Sequence, residues 1–158
     1  MPTITPFLWF DGRLEQAIAF YTTVFPDVTV IESQVYGEGM PGPVGTLMTA
    51  TFEIAGRRLM GLNGGPEFPF TEAVSMFVAC ESQAEADGYW HAIEDGGGTP
   101  SQCGWIKDPF GLSWQIVPPG LFDLLGDPDP QVAFRAGQAM LGQGRLDIEA
   151  IRRAAHPG

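Results

Sequence analysis

Apolar residues recur along the chain with two spacings, and these predict two successive groups of strands and helices. In the first group, "TPFLWF" is a strand, "RLEQAIAFYTTVF" an amphipathic helix, and "VTVIESQVY", "TLMTATFEI" and "LMGL" are further strands. After "EFPFTEA" the order begins again, with "VSMFVAC" as a buried strand, "EADGYWHAI" as a helix, and "CGWIK" and "LSWQIV" as strands joined by a D-P-F-G turn.

The two groups align at an offset of about 70 residues, which suggests an internal repeat. Phe7 falls on Phe77, and with one deletion Phe20-Tyr21 falls on Tyr89-Trp90. The alternative is that any two strand–helix groups look alike at this level of detail. Within the second group, Ser82 and Glu85 have the spacing of a capping box that starts the helix.

Composition and charge narrow the possible partners. The 158 residues suffice for one domain, and the net charge of −11 with only 8 lysines and arginines argues against nucleic acid or an anionic membrane. No apolar run approaches the ~20 residues of a membrane helix. Cys80 and Cys103 lack a metal-finger spacing, and the start has no basic leader. We therefore expect a cytoplasmic protein with reduced thiols.

Several stretches, taken in order, resemble one protein family. "FLWFDG…EQAIAFYTTVFPD", "LNGGPEFPF", "EADGYW" and "CGWIKDPFGLSWQIVP" are similar to the PhnB-like branch of the vicinal oxygen chelate superfamily, over residues 3–155. That superfamily includes glyoxalase I, extradiol dioxygenases, and bleomycin and fosfomycin resistance proteins. The resemblance implies an α+β fold of two βαβββ modules, whose curled mixed sheets surround a cavity that dimerisation usually completes.

The resemblance also suggests how the chain is organised. Residues 1–120 would hold the paired modules, at about 1–66 and 73–120, and residues 121–158 a C-terminal helical extension of the same domain. Asp127-Pro128-Asp129-Pro130 offers helix caps, and Asp147 can cap "IEAIRRAA". Between them, Val132, Ala136, Ala139 and Met140 form an apolar stripe.

The family's metal pattern is poorly matched. Its enzymes hold a divalent metal with a His or Gln early in each module and a Glu late in each, which leaves open positions for substrate. By strand position these ligands fall near Thr5 and Ser75, near Met60 to Asn63, and on Gln115. Only Gln115 can ligate as it stands, and one neutral amide does not hold a metal. We expect no metal and no cofactor, with His91 and His156 as solvated or packing residues.

Relatives with this signature also carry the label of demethylubiquinone methyltransferases. Such an enzyme normally needs a glycine-rich loop between a strand and a helix to hold the methyl donor. The stretches "GEGMPGPVG", "NGGP" and "EDGGG" do not lie between a first strand and a helix. We do not predict methyl transfer.

Gln115 is the main candidate for a ligand contact. Trp114 and Ile116 should face the helices, so that Gln115 faces the cavity, although it can equally be an amide bonded to a neighbouring loop. Four aromatic residues can wall a pocket or simply pack in the core: Phe7, Trp9, Phe77 and Trp105.

Three other residues have weaker claims to a site. Asn63 ends a strand before Gly-Gly and is a turn residue or a pocket polar group. Cys103, beside a glycine, is a nucleophile, a cavity wall or a small buried hydrophobe. Cys80 should be core. Glu53 is a lone carboxylate with a weak claim to be a general base.

Three hypotheses about function remain open at this point. The first is a small-molecule binding protein, or a metal-independent enzyme, of the PhnB-like type, acting as a homodimer. The second is a metal-dependent lyase or dioxygenase of the glyoxalase type. The third is a binding-only sequestration protein, as in the resistance branch. Missing ligands weigh against the second, and neither the ligand nor any reaction can be read from the residues.

Overall fold

A computed structural model describes all 158 residues as an α+β fold with two four-stranded mixed sheets. The chain divides into a first unit, Met1–Phe70, and a second unit, Thr71–Gly158. The elements in chain order are β1 (Phe7–Phe10), α1 (Leu14–Val24), β2 (Thr29–Val35), β3 (Leu47–Ile54), β4 (Arg57–Asn63), β5 (Ser75–Ala79), α2 (Gln83–Asp95), β6 (Thr99–Pro100), β7 (Trp105–Lys107), β8 (Ser113–Val117), α3 (Leu121–Leu125), α4 (Pro130–Leu141) and α5 (Ile148–Ala155).

The sheet of the first unit has the strand order β1-β4-β3-β2. The outer strand β1 runs parallel to β4, and the other neighbours are antiparallel. α1 buries an apolar face made by Leu14, Ala17, Tyr21 and Val24. A Cβ at Gly61 of β4 would lie 2.4 Å from the Leu14 side chain, so glycine lets α1 pack closely on the sheet without displacing Leu14. This close approach fixes α1 over the centre of the sheet.

The sheet of the second unit repeats that order as β5-β8-β7-β6, again with a parallel first pair. α2 buries Ala86, Trp90 and Ile93, and Trp90 takes the place that Tyr21 has on α1. The predicted internal repeat is confirmed by this shared topology. The fold class, two βαβββ-type modules in an α+β fold, is confirmed as well.

The predicted capping box at the start of α2 is present. Ser82 Oγ accepts a hydrogen bond from the Glu85 N–H at 3.1 Å. Glu85 Oε2 reaches back to the Glu81 N–H at 2.6 Å, one residue before the N-cap. The motif therefore satisfies one backbone donor of the first turn, at Glu85, and one just before the helix, at Glu81.

The D-P-F-G turn between β7 and β8 is organised by Asp108, which is only 4% exposed. One carboxylate oxygen accepts hydrogen bonds from the backbone N–H groups of Phe110 and Leu112, at 2.9 and 3.0 Å. The other accepts from Trp114 Nε1 at 3.0 Å. A buried carboxylate with three donors is well satisfied, and it locks both the turn and the indole of β8 in place.

Helices form in the segment after β8, with the caps predicted for them. The Asp129 side chain accepts from the Gln131 N–H, and Asp147 from the Ala150 N–H. The three helices share an apolar cluster with the end of β8 and with the connection before α5, and burying this surface stabilises the second unit. The cluster comprises Val117, Leu121, Leu124, Val132, Ala136, Leu146, Ile148, Ile151 and Ala155.

One strand prediction is wrong in its burial. The stretch "VSMFVAC" does form β5, but the strand is not buried, since Val74 is 65% and Phe77 46% exposed. Phe77 and Ala79, which share one face of β5, are both exposed, whereas the apolar run had suggested that both faces were covered. The two-residue strand β6 was not predicted, because Thr99-Pro100 follows three glycines and is too short to show a pattern.

Candidate functional site

A pocket of about 610 Å³ lies within the first unit, where the ends of β1 and β4 meet the start of α1. The long loop between β2 and β3 closes its other side. Its lining residues are Trp9, Asp11, Gly12, Glu15, Tyr36, Met40, Pro41, Gly42, Pro43, Thr46, Leu47, Met48, Leu62, Asn63, Gly64 and Gly65. The volume is within the range of small-molecule sites, roughly 300–1,000 Å³.

Trp9 is one wall of the pocket, and its indole is held on three sides. Nε1 donates a hydrogen bond to the Gly65 carbonyl at 2.8 Å. The ring meets Phe68 edge-on, with centroids 4.9 Å apart. A Cβ at Gly64 would lie 2.3 Å from the indole, so only glycine fits beneath it. The indole is therefore a rigid surface with its one polar atom already used.

Tyr36 also lines the pocket, with its side chain buried, and it closes the β2–β3 loop. Its N–H donates to the Thr46 carbonyl at 2.9 Å, and its carbonyl accepts from the Gly45 N–H at 2.8 Å. Its hydroxyl donates to the Asn63 carbonyl. Gly42 lies against the ring, where a Cβ would come within 2.5 Å. Tyr36 was not predicted as a site residue, although its place between a strand and a Gly/Pro-rich loop was an available signal.

Asn63 lines the pocket and also serves the helix beside it. Its Oδ1 accepts a hydrogen bond from the Leu14 N–H at 2.9 Å, in the first turn of α1. Its Nδ2 donates to the Leu47 carbonyl at 3.2 Å and to Glu15 Oε2 at 3.3 Å. Arg13, the N-cap residue itself, makes no side-chain capping bond. The Asn63 amide therefore ties β4, β3 and α1 together at the pocket edge.

Gln115 lies on β8 of the second sheet and is not among the lining residues of the first-unit pocket. It pairs in register with Phe77 on one side and with Trp105 on the other, so the three side chains share one face of the sheet. Its Nε2 donates to Ser75 Oγ at 2.8 Å. The amide is thus bonded to a side chain of the neighbouring strand, and not to a loop.

Phe7 and Phe77, which were predicted to wall a pocket, are both largely exposed to solvent. Phe7 is 51% exposed at the start of β1. Phe77 packs on Phe122, with ring centroids 5.9 Å apart, and lines a smaller pocket of about 230 Å³ together with Cys80 and Pro118. Of the seven predicted ligand-binding residues, the first-unit pocket brings together only Trp9 and Asn63.

The two cysteines differ in their surroundings. Cys80 is buried, as predicted; burial raises the pKa of its thiol to about 11, and the nearby Glu85 charge adds to the effect. Cys103 is half-buried with a φ of 58°, a conformation uncommon for a residue with a side chain. Its N–H donates to the Gln143 carbonyl at 2.8 Å, which ties the segment to the C-terminal helices.

Glu53 and the two histidines lie on the surface. Glu53 Oε1 accepts hydrogen bonds from Arg58, which accounts for its carboxylate without a catalytic role. His91 lies on α2 within 3.5 Å of Glu94, and His156 is exposed after α5. The histidines are solvated, as predicted.

The positions that the metal pattern requires do not suit a divalent metal. Met60 pairs with Phe7 as Gln115 pairs with Phe77, so Met60 occupies in the first sheet the place of Gln115 in the second. With Thr5 and Ser75 these positions offer two hydroxyls, a thioether and an amide, and the Ser75 hydroxyl already accepts the Gln115 hydrogen bond. No group of three or more His, Cys, Asp or Glu side chains is arranged to hold a metal ion. Neutral donors of this kind do not retain zinc, nickel or iron unaided.

Comparison with known proteins identifies the family. The family model described as 3-demethylubiquinone-9 3-methyltransferase matches residues 2–117. A PhnB protein from Bacillus cereus, described with the same activity, is 33% identical over 72% of this chain and 97% of its own, with a TM-score of 0.64. The chain belongs to this family, the PhnB-like group of the vicinal oxygen chelate superfamily.

More distant structures share the fold. Protein PA1353 from Pseudomonas aeruginosa is 23% identical over 72% of this chain and 95% of its own, with a TM-score of 0.58. The fosfomycin resistance protein FosX from Listeria monocytogenes is 16% identical over 72% of this chain and 87% of its own, with a TM-score of 0.55. No curated protein gave a significant match.

None of the five helices has the length and apolar character needed to cross a lipid bilayer.

Proposed function

We propose that the protein binds a small organic molecule in the pocket of the first unit. The observation that carries this proposal is the pocket itself: its volume is about 610 Å³, and its lining includes two aromatic side chains, Trp9 and Tyr36, that hydrogen bonds hold in place. Rigid, largely apolar walls with a few fixed polar groups are what small-molecule sites offer.

A pair of loop variants tests this proposal. Met40 lines the pocket, whereas Val44 belongs to the same loop but does not line it, and both side chains are largely exposed. Met40→Trp should fill the space and abolish binding of a molecule that co-purifies with the protein or is found by screening, as measured by native mass spectrometry or calorimetry. Val44→Trp, the matched control, should leave binding unchanged. Equal binding by both variants would place the ligand elsewhere.

The proposal includes binding without a resident divalent metal. Its support is the donor chemistry at Thr5, Met60, Ser75 and Gln115, none of which is a carboxylate or an imidazole. Elemental analysis of the purified protein should find no transition metal in stoichiometric amount. A metal retained after dialysis at about one equivalent per chain would contradict this and favour a lyase or dioxygenase of the glyoxalase type.

Methyl transfer is not part of the proposal, although the family model is described by that activity. The connection from β1 to α1 consists of Asp11, Gly12 and Arg13, and that from β5 to α2 of Cys80, Glu81 and Ser82. Neither is a glycine-rich loop of the kind that holds a methyl donor. Whether the bound molecule is turned over or only sequestered is decided by following its chemical fate during incubation with the protein.

Gln115 is proposed as a second ligand contact, on the partly exposed row that it forms with Phe77 and Trp105. One N–H of its Nε2 donates to Ser75, which leaves the other N–H to donate and Oε1 to accept from a ligand. Gln115→Leu should preserve the fold and weaken ligand binding by roughly 1–3 kcal/mol. If the melting temperature falls while ligand affinity among folded molecules is unchanged, Gln115 only braces β5 against β8.

We also propose that the protein is a cytoplasmic homodimer. β2 is an edge strand whose seven residues are all exposed, including Val30, Ile31 and Val35. A free edge with apolar side chains is stabilised when a second copy covers it. Light scattering that gives a clean monomer at micromolar concentration would contradict the dimer. The cytoplasmic location is proposed because both cysteines are free thiols.

A further inference from the structure

The side-chain hydrogen-bond donors around the first-unit pocket are already used within the protein. Trp9 Nε1 donates to the Gly65 carbonyl, and the Tyr36 hydroxyl donates to the Asn63 carbonyl. Asn63 Nδ2 donates to Leu47 and Glu15, and Thr46 Oγ1 donates to the Pro43 carbonyl. These four are the side-chain donors of the lining. An anionic ligand would therefore find no free side-chain donor here.

The charged side chains in the lining are both acidic. Asp11 lies in the β1–α1 connection and Glu15 in the first turn of α1, and the lining includes no lysine, arginine or histidine. Glu15 receives one hydrogen bond, from the neutral Asn63 amide at 3.3 Å. Neither carboxylate is in an ion pair, so their charges are available to a ligand.

The aromatic walls favour the same kind of ligand. The faces of indole and phenol rings carry negative charge density, which attracts a cation placed over them. Trp9 and Tyr36 both line the pocket, and their polar atoms already make hydrogen bonds within the protein. The half-buried Trp9 offers more ring surface than Tyr36, which is buried. The Met40 and Met48 side chains add polarisable, uncharged surface.

We infer that the molecule bound in this pocket is an organic cation, an amine or quaternary ammonium compound with an apolar body. This inference rests on the proposed function and specifies its ligand. Asp11 and Glu15 would neutralise the charge, while Trp9 and Tyr36 would contact the cationic head and the body. The net charge of −11 would attract such a molecule at long range.

The test is a titration of ¹⁵N-labelled protein with three probes that share one ring: benzyltrimethylammonium, benzyl alcohol and benzoate. The readout is the Trp9 indole N–H signal together with the Gly64 and Gly65 amides. The cation should shift these signals saturably and bind about fivefold more tightly than the alcohol, with benzoate weakest. Added sodium chloride should weaken the cation alone.

Variants then assign the effect to the two carboxylates. The double variant Asp11→Asn/Glu15→Gln should lose about fivefold in affinity for the cation and keep its affinity for benzyl alcohol. Glu67→Gln is the control, because Glu67 is an exposed carboxylate of the same unit outside the lining. If the alcohol or benzoate binds the pocket as well as the cation does, the cation inference is wrong while the proposed function stands. If none of the three probes shifts the pocket signals at millimolar concentration, the proposed function falls with it.

Discussion

The two units repeat one strand order but begin their helices differently. In the second unit, Ser82 and Glu85 cap α2 from within the same stretch of sequence. In the first unit the residue before α1 makes no capping bond, and Asn63 supplies the acceptor from 49 residues further along the chain. One helix start is thus a local property, while the other forms only when β4 is in place. A helix terminus that depends on tertiary structure can form part of a pocket, and this one does.

The units differ also in how each sheet is completed. The first unit uses strands of seven and eight residues for β2, β3 and β4. In the second unit, β6 has two residues and β7 three. The segment before α5 compensates, because Gln143 and Gly144 accept hydrogen bonds from the N–H groups of Cys103 and Gly104. The second sheet is therefore completed by the segment that carries the C-terminal helices.

Removing the chain after Gly126 should lower the stability of the protein more than any of the substitutions below, and it should act on the second unit. The deletion exposes Val117, Leu121 and Leu124 and removes the partners of Cys103 and Gly104. We expect the melting temperature to fall by more than about 10 °C, since several buried side chains are lost at once. Hydrogen exchange should show the loss of protection in α2 and β8 first. An unchanged melting temperature would mean that the helices are not needed by the second sheet.

Asp108→Ala should cause the next largest loss of stability. It leaves three buried or partly buried donors without their acceptor, and we expect a loss of about 3 kcal/mol in the free energy of unfolding. The corresponding β3–β4 turn of the first unit has no such carboxylate, and Ala55 there has a φ of 48°. Ala55→Gly should therefore be neutral or stabilise by up to about 1 kcal/mol. Denaturant unfolding measures both, and a small loss in Asp108→Ala would contradict its organising role.

Replacing the two capping residues compares the helix starts directly. Asn63→Ala should cost about 2 kcal/mol, because it removes bonds to α1 and β3 together, whereas Ser82→Ala should cost about 1 kcal/mol. Asn63→Asp, which keeps the acceptor but places a second carboxylate beside Glu15, should be intermediate. Denaturant unfolding is again the measurement. Equal losses for the two alanine variants would mean that the remote cap contributes no more than the local one.

Alkaline pH should destabilise the protein through the second unit, which holds both cysteines. Burial raises the pKa of the Cys80 thiol to about 11 and that of the Tyr89 hydroxyl to about 12. Glu85 accepts the hydrogen bond of the Tyr89 hydroxyl, and its charge adds to both pKa shifts. As the pH rises past about 9, the unfolded chain releases the Cys80 proton while the folded chain keeps it, so the free energy of unfolding falls. At pH 10 the Cys80 contribution is about 1 kcal/mol. Cys80→Ala should flatten that part of the melting profile; an identical profile for the variant would contradict the assignment.

Much of the fold could be predicted because its signals are local. The spacing of Ala17, Tyr21 and Val24 predicted α1, and the Ser82–Glu85 pair predicted the start of α2. The burial of β5 was predicted wrongly, because an apolar run does not tell how many of its faces are covered. Family resemblance supplied the topology, which the shared strand order confirms.

The candidate site was harder to predict, because it depends on contacts between distant residues. Trp9 and Asn63 were singled out, but their joint position follows from the parallel pairing of β1 with β4. Asp11 and Glu15 were missed, since nothing local distinguishes a carboxylate near a helix start from an ordinary surface residue. Tyr36 was missed as well, because its place beside a Gly/Pro-rich loop does not by itself show that it lines a pocket. Cys103, Trp105, Phe7, Phe77 and Gln115 remain predictions as ligand contacts.

The exposed edge strand β2 is irregular, and this limits what can add to it. Its register against β3 shifts between Val30 and Glu32, and again between Gln34 and Val35, so its outer row of backbone groups is not evenly spaced. A regular strand cannot pair with such an edge over its whole length. Glu32 also places a negative charge near the middle of β2, which disfavours pairing with another strand. Indiscriminate strand addition, which leads to fibrils, is disfavoured at the place where the first sheet is least protected.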